Sequence, residues 1–456
     1  MNTAGLQAPA GSAYSELRRH ELRKTRLVMI DGSLTLNSRT AEGGTSARVY
    51  HDGYWGFAAV PGTVDGAARV ANKARQNALA MARFGAQPTL ALPGGGYHGE
   101  HRFAGRAELT PRECVERMAE LHNWCAQHYP DLKSTKFVLA DEHHSKWLAS
   151  SQGGHSLSSI QRAMCYIFFN TEDAQGKPVE LYEPISGKGS LADLDLSIAT
   201  LTPVFERLHA HLMAKRNAVP ARGGLHTIVM APELAGMLAH EAMGHPCEAD
   251  LVLGGAVTRD LVGQQVASDL VSMVDFAHTF DGQEVMIPVY VDDEGVAARD
   301  AVLIQNGRLT EFMSSRETAA QLGIAATGSA RAYGPNDEPL VRMRNTAILP
   351  GKQKLASMIA EVEDGYLLLK TSNGQADSTT EFMFGVSLAY EIRNGVLGAA
   401  IRDTTLSGSA IKVLQSVDAV SDDMHWSCSG YCGKKQPMVV SMGGPALRAR
   451  AHLGGE

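Results

Sequence analysis

The chain has 456 residues, 44% apolar and 20% charged, with a formal charge of −7, enough length for two or three domains with substantial cores. The acidic balance argues against general nucleic-acid binding, which calls for a basic surface, and no apolar run reaches the ~18 residues of a membrane helix. Met1-Asn2-Thr3-Ala4-Gly5 lacks the basic start and apolar core of a secretory signal, and six cysteines in so long a chain are no disulfide framework, so a cytoplasmic location is expected.

In chain order, Arg26–Ile30 and Ser33–Leu36 read as strands around Asp31-Gly32. Ala47–Tyr50 and Trp55–Val60 read as a hairpin through Asp52-Gly53, a pair suited to a two-residue turn. Thr63 opens a long helix to about Phe84. Pro93-Gly94-Gly95-Gly96 is a loop rather than a phosphate cradle, because no helix starts directly after it. Thr110-Pro111-Arg112-Glu113 forms a capping box with proline at the first helical position, and that helix runs to about His128. Cys114, Met118, Leu121 and Cys125 make its apolar stripe. Strands near Lys136–Ala140, Lys146–Ala149 and Met164–Phe169, with Cys165 in the core, and a helix over Leu191–Arg216 complete an α+β half. His98, His101, His143 and His144 read as surface histidines. The boundary falls at Pro220-Ala221-Arg222-Gly223-Gly224, giving domains 1–222 and 223–456.

The second half opens with a strand, Leu225–Met230, feeding a helix that starts at Pro232 and carries an apolar stripe of Leu234, Met237 and Leu238. Most of the remainder reads as β. Asn306-Gly307 lies between Val302–Ile304 and Leu309–Phe312, and Asn394-Gly395 between Ser387–Ile392 and Val396–Ile401, both as tight hairpins. Short helices are expected near Arg316–Leu322 and Gln353–Glu363. Asp292-Asp293-Glu294-Gly295 reads as a hairpin turn, without the alternating ligands of a calcium loop.

The chemistry concentrates in His240-Glu241-Ala242-Met243-Gly244-His245. Two imidazoles and an adjacent carboxylate can bind zinc and activate water on it. The histidines are five apart, however, which on a regular helix turns the second roughly 140° away from the first. Gly244 and Pro246 suggest the solution. Pro246 cannot donate to the carbonyl of Ala242, so the helix should widen into a π-type bulge or end at His245, and a wider turn brings positions five apart onto one face. Glu248 and Asp250 follow as further ligands, as partners of an imidazole, or as capping and solubilising residues. Far along the chain, Ser427–Gln436 places Cys428 and Cys432 in a glycine-bearing loop. A catalytic zinc takes three protein ligands and keeps a fourth position open.

His240–Asp250, Asp292-Asp293-Glu294-Gly295, Thr327-Gly328 with Arg331, and Cys432-Gly433-Lys434 occur in the order found in the TldD/PmbA family of metallopeptidases, which this chain resembles from about Leu225 to Pro445. A looser likeness extends through Gly43–Tyr50 and Gly53–Ala58. The resemblance implies that His240, His245 and Cys432 bind zinc and that Glu241 is the general base. It implies an N-terminal mixed sheet with helices and a largely β, barrel-like C-terminal domain carrying the metal helix; periodicity alone supports only an α+β protein of two domains. It also implies a homodimer, or a heterodimer with a family paralogue, enclosing the site. Two departures stand out: Pro246-Cys247 replaces glycine and an apolar residue, and Lys435 occupies the place of a glycine before Gln436. Cys428 and Cys247 therefore rival Cys432 for the metal. Thr327, Gly328 and Arg331 are candidates for contacting substrate or orienting the zinc shell, against a loop glycine and a buried salt bridge as plainer explanations.

The function expected is a zinc-dependent peptidase acting on unfolded peptides or peptide segments. Two other readings stay open: a zinc amidohydrolase on a small biosynthetic intermediate, and a non-catalytic assembly subunit. Retention of Glu241 argues against the last, because a structural zinc site needs no general base.

Overall fold

Both Asp-Gly pairs turn as their chemistry requires: Asp31 and Asp52 lie at φ 48°, with Gly32 at 76° and Gly53 at 80°, the left-handed pair of a two-residue hairpin. They join β1 (Tyr14–Ile30), β2 (Ser33–His51) and β3 (Tyr54–Pro61) in antiparallel order. The computed structural model describes residues 12–62, 66–85, 87–103, 105–376 and 379–454. β2 is unbroken where the pattern marked two short strands. Its first ten residues are exposed apart from half-buried Ser38, so they carry no inside–outside alternation to read.

Next come α1 (Ala67–Ala82), β4 (His98–Arg102) and α2 (Pro111–His128), then β5 (Ser134–Ser150), β6 (His155–Glu172), β7 (Pro178–Lys188) and α3 (Ile198–Arg216). Thr63, expected to open the first helix, lies outside the described residues. The capping box of α2 forms in full, with Thr110 and Glu113 bonded reciprocally. α3 starts seven residues later than Leu191, at a cap made by Ser197. The sheet runs β3-β2-β1-β5-β6-β4 with β7 on β6; β4 is parallel to β6 and the other pairs are antiparallel. Cys114, Met118, Leu121 and Cys125 of α2 and Phe205 of α3 pack on Phe137, Cys165 and Phe169, so both helices cover one face of this mixed sheet.

β8 (Gly224–Met230) lies parallel to Asp364–Ala376 and antiparallel to Leu447–Leu453. Thr404–Ser409 and Glu381–Arg393 continue the order, and Glu381–Arg393 pairs back onto Asp364–Ala376. The result is a closed five-stranded barrel. A second sheet brings together Ala301–Gln305, Met273–Phe276, Asn345–Ile348 and Ser441–Gly444. Asn306-Gly307 and Asn394-Gly395 make the expected turns, each with positive φ at both positions. The helix Arg316–Leu322 is as expected, and the next contracts to Leu355–Ala360. Directly after β8, α4 (Pro232–Met237) buries Leu234 among Ile228, Met230 and Phe384. This packing anchors the metal motif. No described helix is long and apolar enough to cross a membrane.

Candidate metal centre

At the end of α4 the backbone changes pitch. Leu238–Gly244 is a π-helix, and the N–H of His245 donates to the carbonyl of His240, five residues back. A short 3-10 turn, His245–Cys247, ends it at Pro246. The five-residue spacing is thereby turned to use: the rings of His240 and His245 lie 5.0 Å apart, nearly perpendicular. Gly244 makes the tight approach possible, because a Cβ there would sit 2.3 Å from Met343 Sδ.

Cys432 arrives from a two-stranded ribbon, Tyr431–Cys432 with Met438–Val439. Its Sγ is 3.3 Å from His245 Nε2, and one donor atom each from His240, His245 and Cys432 fall within 4.8 Å of one another. Zn–N and Zn–S distances of about 2.1 and 2.3 Å imply a tetrahedral edge of roughly 3.6 Å, so this two-nitrogen, one-sulfur set fits a zinc ion. Buried His240 Nδ1 has no hydrogen-bond partner among the described residues. Burial pushes the Cys432 thiol up, but His240 and His245 outweigh it and bring it down to about 4. Burial lowers His245, while Glu248 and Cys432 raise it to about 10. The protein is thus preset to hold a thiolate against a positive charge, and a metal cation can take that proton's place.

Glu241 Oε2 lies 3.8 Å from His245 Nε2, and both side chains are 20% exposed. Glu248 stands elsewhere, fully buried, with Oε2 2.8 Å from His245 Nδ1 and 3.1 Å from Lys434 Nζ. Burial raises its carboxyl, and His245 and Lys434 overcome that to hold it near 2. It therefore fixes the imidazole from behind, as carboxylates commonly do for metal-binding histidines. Asp250 grips Lys434 Nζ at 2.9 and 3.0 Å.

The rival sulfurs are not among the clustered donor atoms. Cys247 is fully buried and its thiol is pushed up by burial. Cys428 receives Arg162 Nη1 on its carbonyl at 2.7 Å and on its sulfur at 3.7 Å. Thr327 bonds within a buried network with Ser314 and Ser329. Gly328 needs its positive φ of 69°, and a Cβ there would meet Ala298 Cα at 2.6 Å. Neither residue is in the donor cluster. Arg331 donates to the carbonyls of Met343 and Val439 and has no carboxylate within ion-pair distance among the described residues, so the expected buried salt bridge is absent there.

Arg342, which sequence reasoning passed over, is fully buried and donates to the carbonyls of Cys432, Lys434 and Gln436 at 2.7, 2.9 and 2.7 Å. It clamps the loop that carries Cys432. Arg344 similarly joins Asp275, at 2.7 Å, to the carbonyls of Thr327 and Gly328. The only signal was two arginines spaced for one face of an otherwise apolar segment. His101, His143 and His144 are also corrected: each is half-buried rather than on the surface, and His144 lies 3.1 Å from His20.

Residues 223–453 match the model of the PmbA/TldA metallopeptidase C-terminal domain, and residues 15–78 that of domain 1. The chain belongs to the PmbA/TldD metallopeptidase family. A metalloprotease of Methanocaldococcus jannaschii is 30% identical over 453 residues, 96% of each chain. One from Methanothermobacter thermautotrophicus is 29% identical over 97% of this chain and 95% of its own. The zinc metalloprotease TldD homolog of Saccharolobus solfataricus is 29% identical over 74% of this chain and 75% of its own. Among solved structures, TldE from Thermococcus kodakarensis superposes with a TM-score of 0.76 at 17% identity, covering 97% of both chains. That likeness concerns the fold.

Proposed function

We propose that this chain is a zinc-dependent peptidase in which His240, His245 and Cys432 hold the metal and Glu241 is the general base. The observation that carries the reading is the π-turn, which sets His240 and His245 beside Cys432 with Glu241 at the same opening. A zinc ion held there supplies Lewis acidity toward the scissile carbonyl and the attacking water. Glu241 Oε2 accepts the proton of that water and returns it to the leaving amine nitrogen. Glu248 keeps His245 in the tautomer that presents Nε2, and Arg342 holds the Cys432 loop in place. Peptide-bond hydrolysis then needs no covalent enzyme intermediate.

The substrate proposed is an unfolded peptide or peptide segment, and the setting proposed is cytoplasmic. The assembly proposed is a homodimer or a heterodimer with a family paralogue, in line with membership of the PmbA/TldD family. A division into domains 1–222 and 223–456 is supported by the family match that starts at residue 223. Glu241→Gln is the direct test. Hydrolysis of an unstructured peptide should vanish while zinc stays bound; unchanged hydrolysis would sink the mechanism.

A further inference from the structure

We infer that the cavity behind the Cys432 ribbon is a carboxylate-binding subsite that seats an apolar residue bearing, or lying next to, a carboxylate of the peptide substrate. The inference rests on the peptidase reading. The cavity lies where β5 and β6 face Ile287–Asp293, Arg331–Tyr333 and Met438–Val439, and its volume is about 70 Å³. Ser158 and Ile160 border it and also a second hollow, which extends past His101 and Tyr290. The two hollows share a wall on β6.

Its position ties it to the metal centre. Met438, on its wall, pairs directly with Cys432, and adjacent strands lie only about 5 Å apart. Arg331, also on the wall, bonds the carbonyl of Val439 and that of Met343, whose sulfur packs on Gly244 of the metal turn. A residue in this cavity would stand on the order of one to three extended residues from a bond cleaved at the metal.

The accessible free valence on the wall is an N–H of Lys146. Lys146 Nζ donates to Asp293 Oδ2 and to the carbonyl of Ala332, both at 2.7 Å, which leaves one of its three donors. Arg162 uses Nη1 on Cys428 and Nη2 on Glu142, and its Nε, sealed from solvent, has no partner among the described residues. Arg331 brings a buried positive charge whose hydrogen bonds among the described residues go to carbonyls, with Asp293 and Asp275 beyond ion-pair distance. The acceptors, by contrast, are engaged: Glu142 by Tyr333 and Arg162, Asp293 by Lys146 and the Ala332 N–H, and Asp292 by three backbone N–H groups. A buried cation beside unpaired donors is best matched by an anionic acceptor. Ile160, Ile287, Val289 and Val291 line the rest, so the complementary ligand is apolar with one carboxylate, either a peptide C-terminus or an acidic side chain.

The test uses the zinc-loaded full chain carrying Glu241→Gln, so that binding is read without cleavage. Calorimetry compares three leucine-ended hexapeptides: a free acid, the same peptide amidated, and an amidated peptide with one internal glutamate. A carboxylate form should bind ~10- to 100-fold tighter than the plain amide, the range expected for hydrogen bonds to a charged group, and the tighter arm identifies which carboxylate is read. Lys146→Met should erase the difference. If that variant has no melting transition, Ile160→Trp, which fills the cavity, is read in its place with the same expectation. Equal binding of all three peptides, including none, overturns the inference, as does a preference that survives in the folded variant. Hydrolysis of the amidated peptide by the unsubstituted chain judges the peptidase reading separately. Carboxylate-dependent binding without hydrolysis leaves the subsite standing, and hydrolysis without carboxylate preference removes only the subsite.

Discussion

Arg342 offers the sharpest perturbation of the site short of its donor atoms. Its guanidinium makes three hydrogen bonds to the carbonyls of Cys432, Lys434 and Gln436, and hydrogen bonds to charged groups contribute about 1.5–3 kcal/mol each. Arg342→Met would leave those oxygens facing an apolar side chain. The loop would open toward water rather than bear the full penalty, so the net loss should fall well below the sum. Outer-shell partners of metal sites typically change metal affinity by about 10- to 100-fold, equivalent to roughly 1.4–2.7 kcal/mol. Arg342→Lys keeps the charge but lacks the planar fork, and should fall between the parent and the methionine variant. The assay is zinc affinity by competition with a chelator, alongside circular dichroism to confirm that the barrel is intact. Unchanged affinity in a folded Arg342→Met protein would refute the clamp.

Other outcomes follow from the same geometry. Gly244→Ala would drive a methyl into Met343 Sδ; overpacking of this kind costs about 1–3 kcal/mol, so a lower melting temperature and weaker zinc binding are expected, and parental values for both would show that the turn has room to spare. Lys435 stands at φ 57°, where a side chain costs about 1–2 kcal/mol that glycine's greater flexibility in the unfolded chain only partly cancels. Lys435→Gly should therefore stabilise the protein by about 0.5–1 kcal/mol, read as a higher denaturant midpoint; a lower midpoint counts against the strain. Lys146 is held down to about 8 by burial, against the opposing pull of Asp293, while an unfolded lysine titrates near ~10.4. Between those values the unfolded chain binds more protons at this residue, so Lys146 makes stability rise with pH across that window. Denaturation midpoints from pH 7.5 to 10 should rise less in Lys146→Met than in the parent; parallel curves would contradict the shift.

The π-turn was legible because it follows from arithmetic: histidines five positions apart, a glycine and a proline leave a regular helix no way to present both rings. The hairpins were legible for a similar local reason, since Asp-Gly and Asn-Gly pairs tolerate the positive φ their turns demand. The barrel and the pairing of Cys432 with residues nearly two hundred positions earlier came from resemblance, since periodicity does not encode which strands meet. β4 was missed because His98–Arg102 has no apolar residue, and β2 was split because its outer half is exposed on both faces. Arg342 and Arg344 stayed hidden for a different reason. Arginine reads as a surface residue, and these two are held by carbonyls of loops that only the folded chain brings near, Arg344 with Asp275 besides. The same holds for the cavity lined by Lys146 and Arg162, which exists only where the first sheet meets the second half.

Zinc content of the purified full chain, measured beside Cys432→Ala, tests the central claim most directly. The account predicts close to one zinc per chain, falling sharply in the variant while the melting transition persists. Zinc retained by Cys432→Ala, or none in either protein after zinc is supplied, would contradict it.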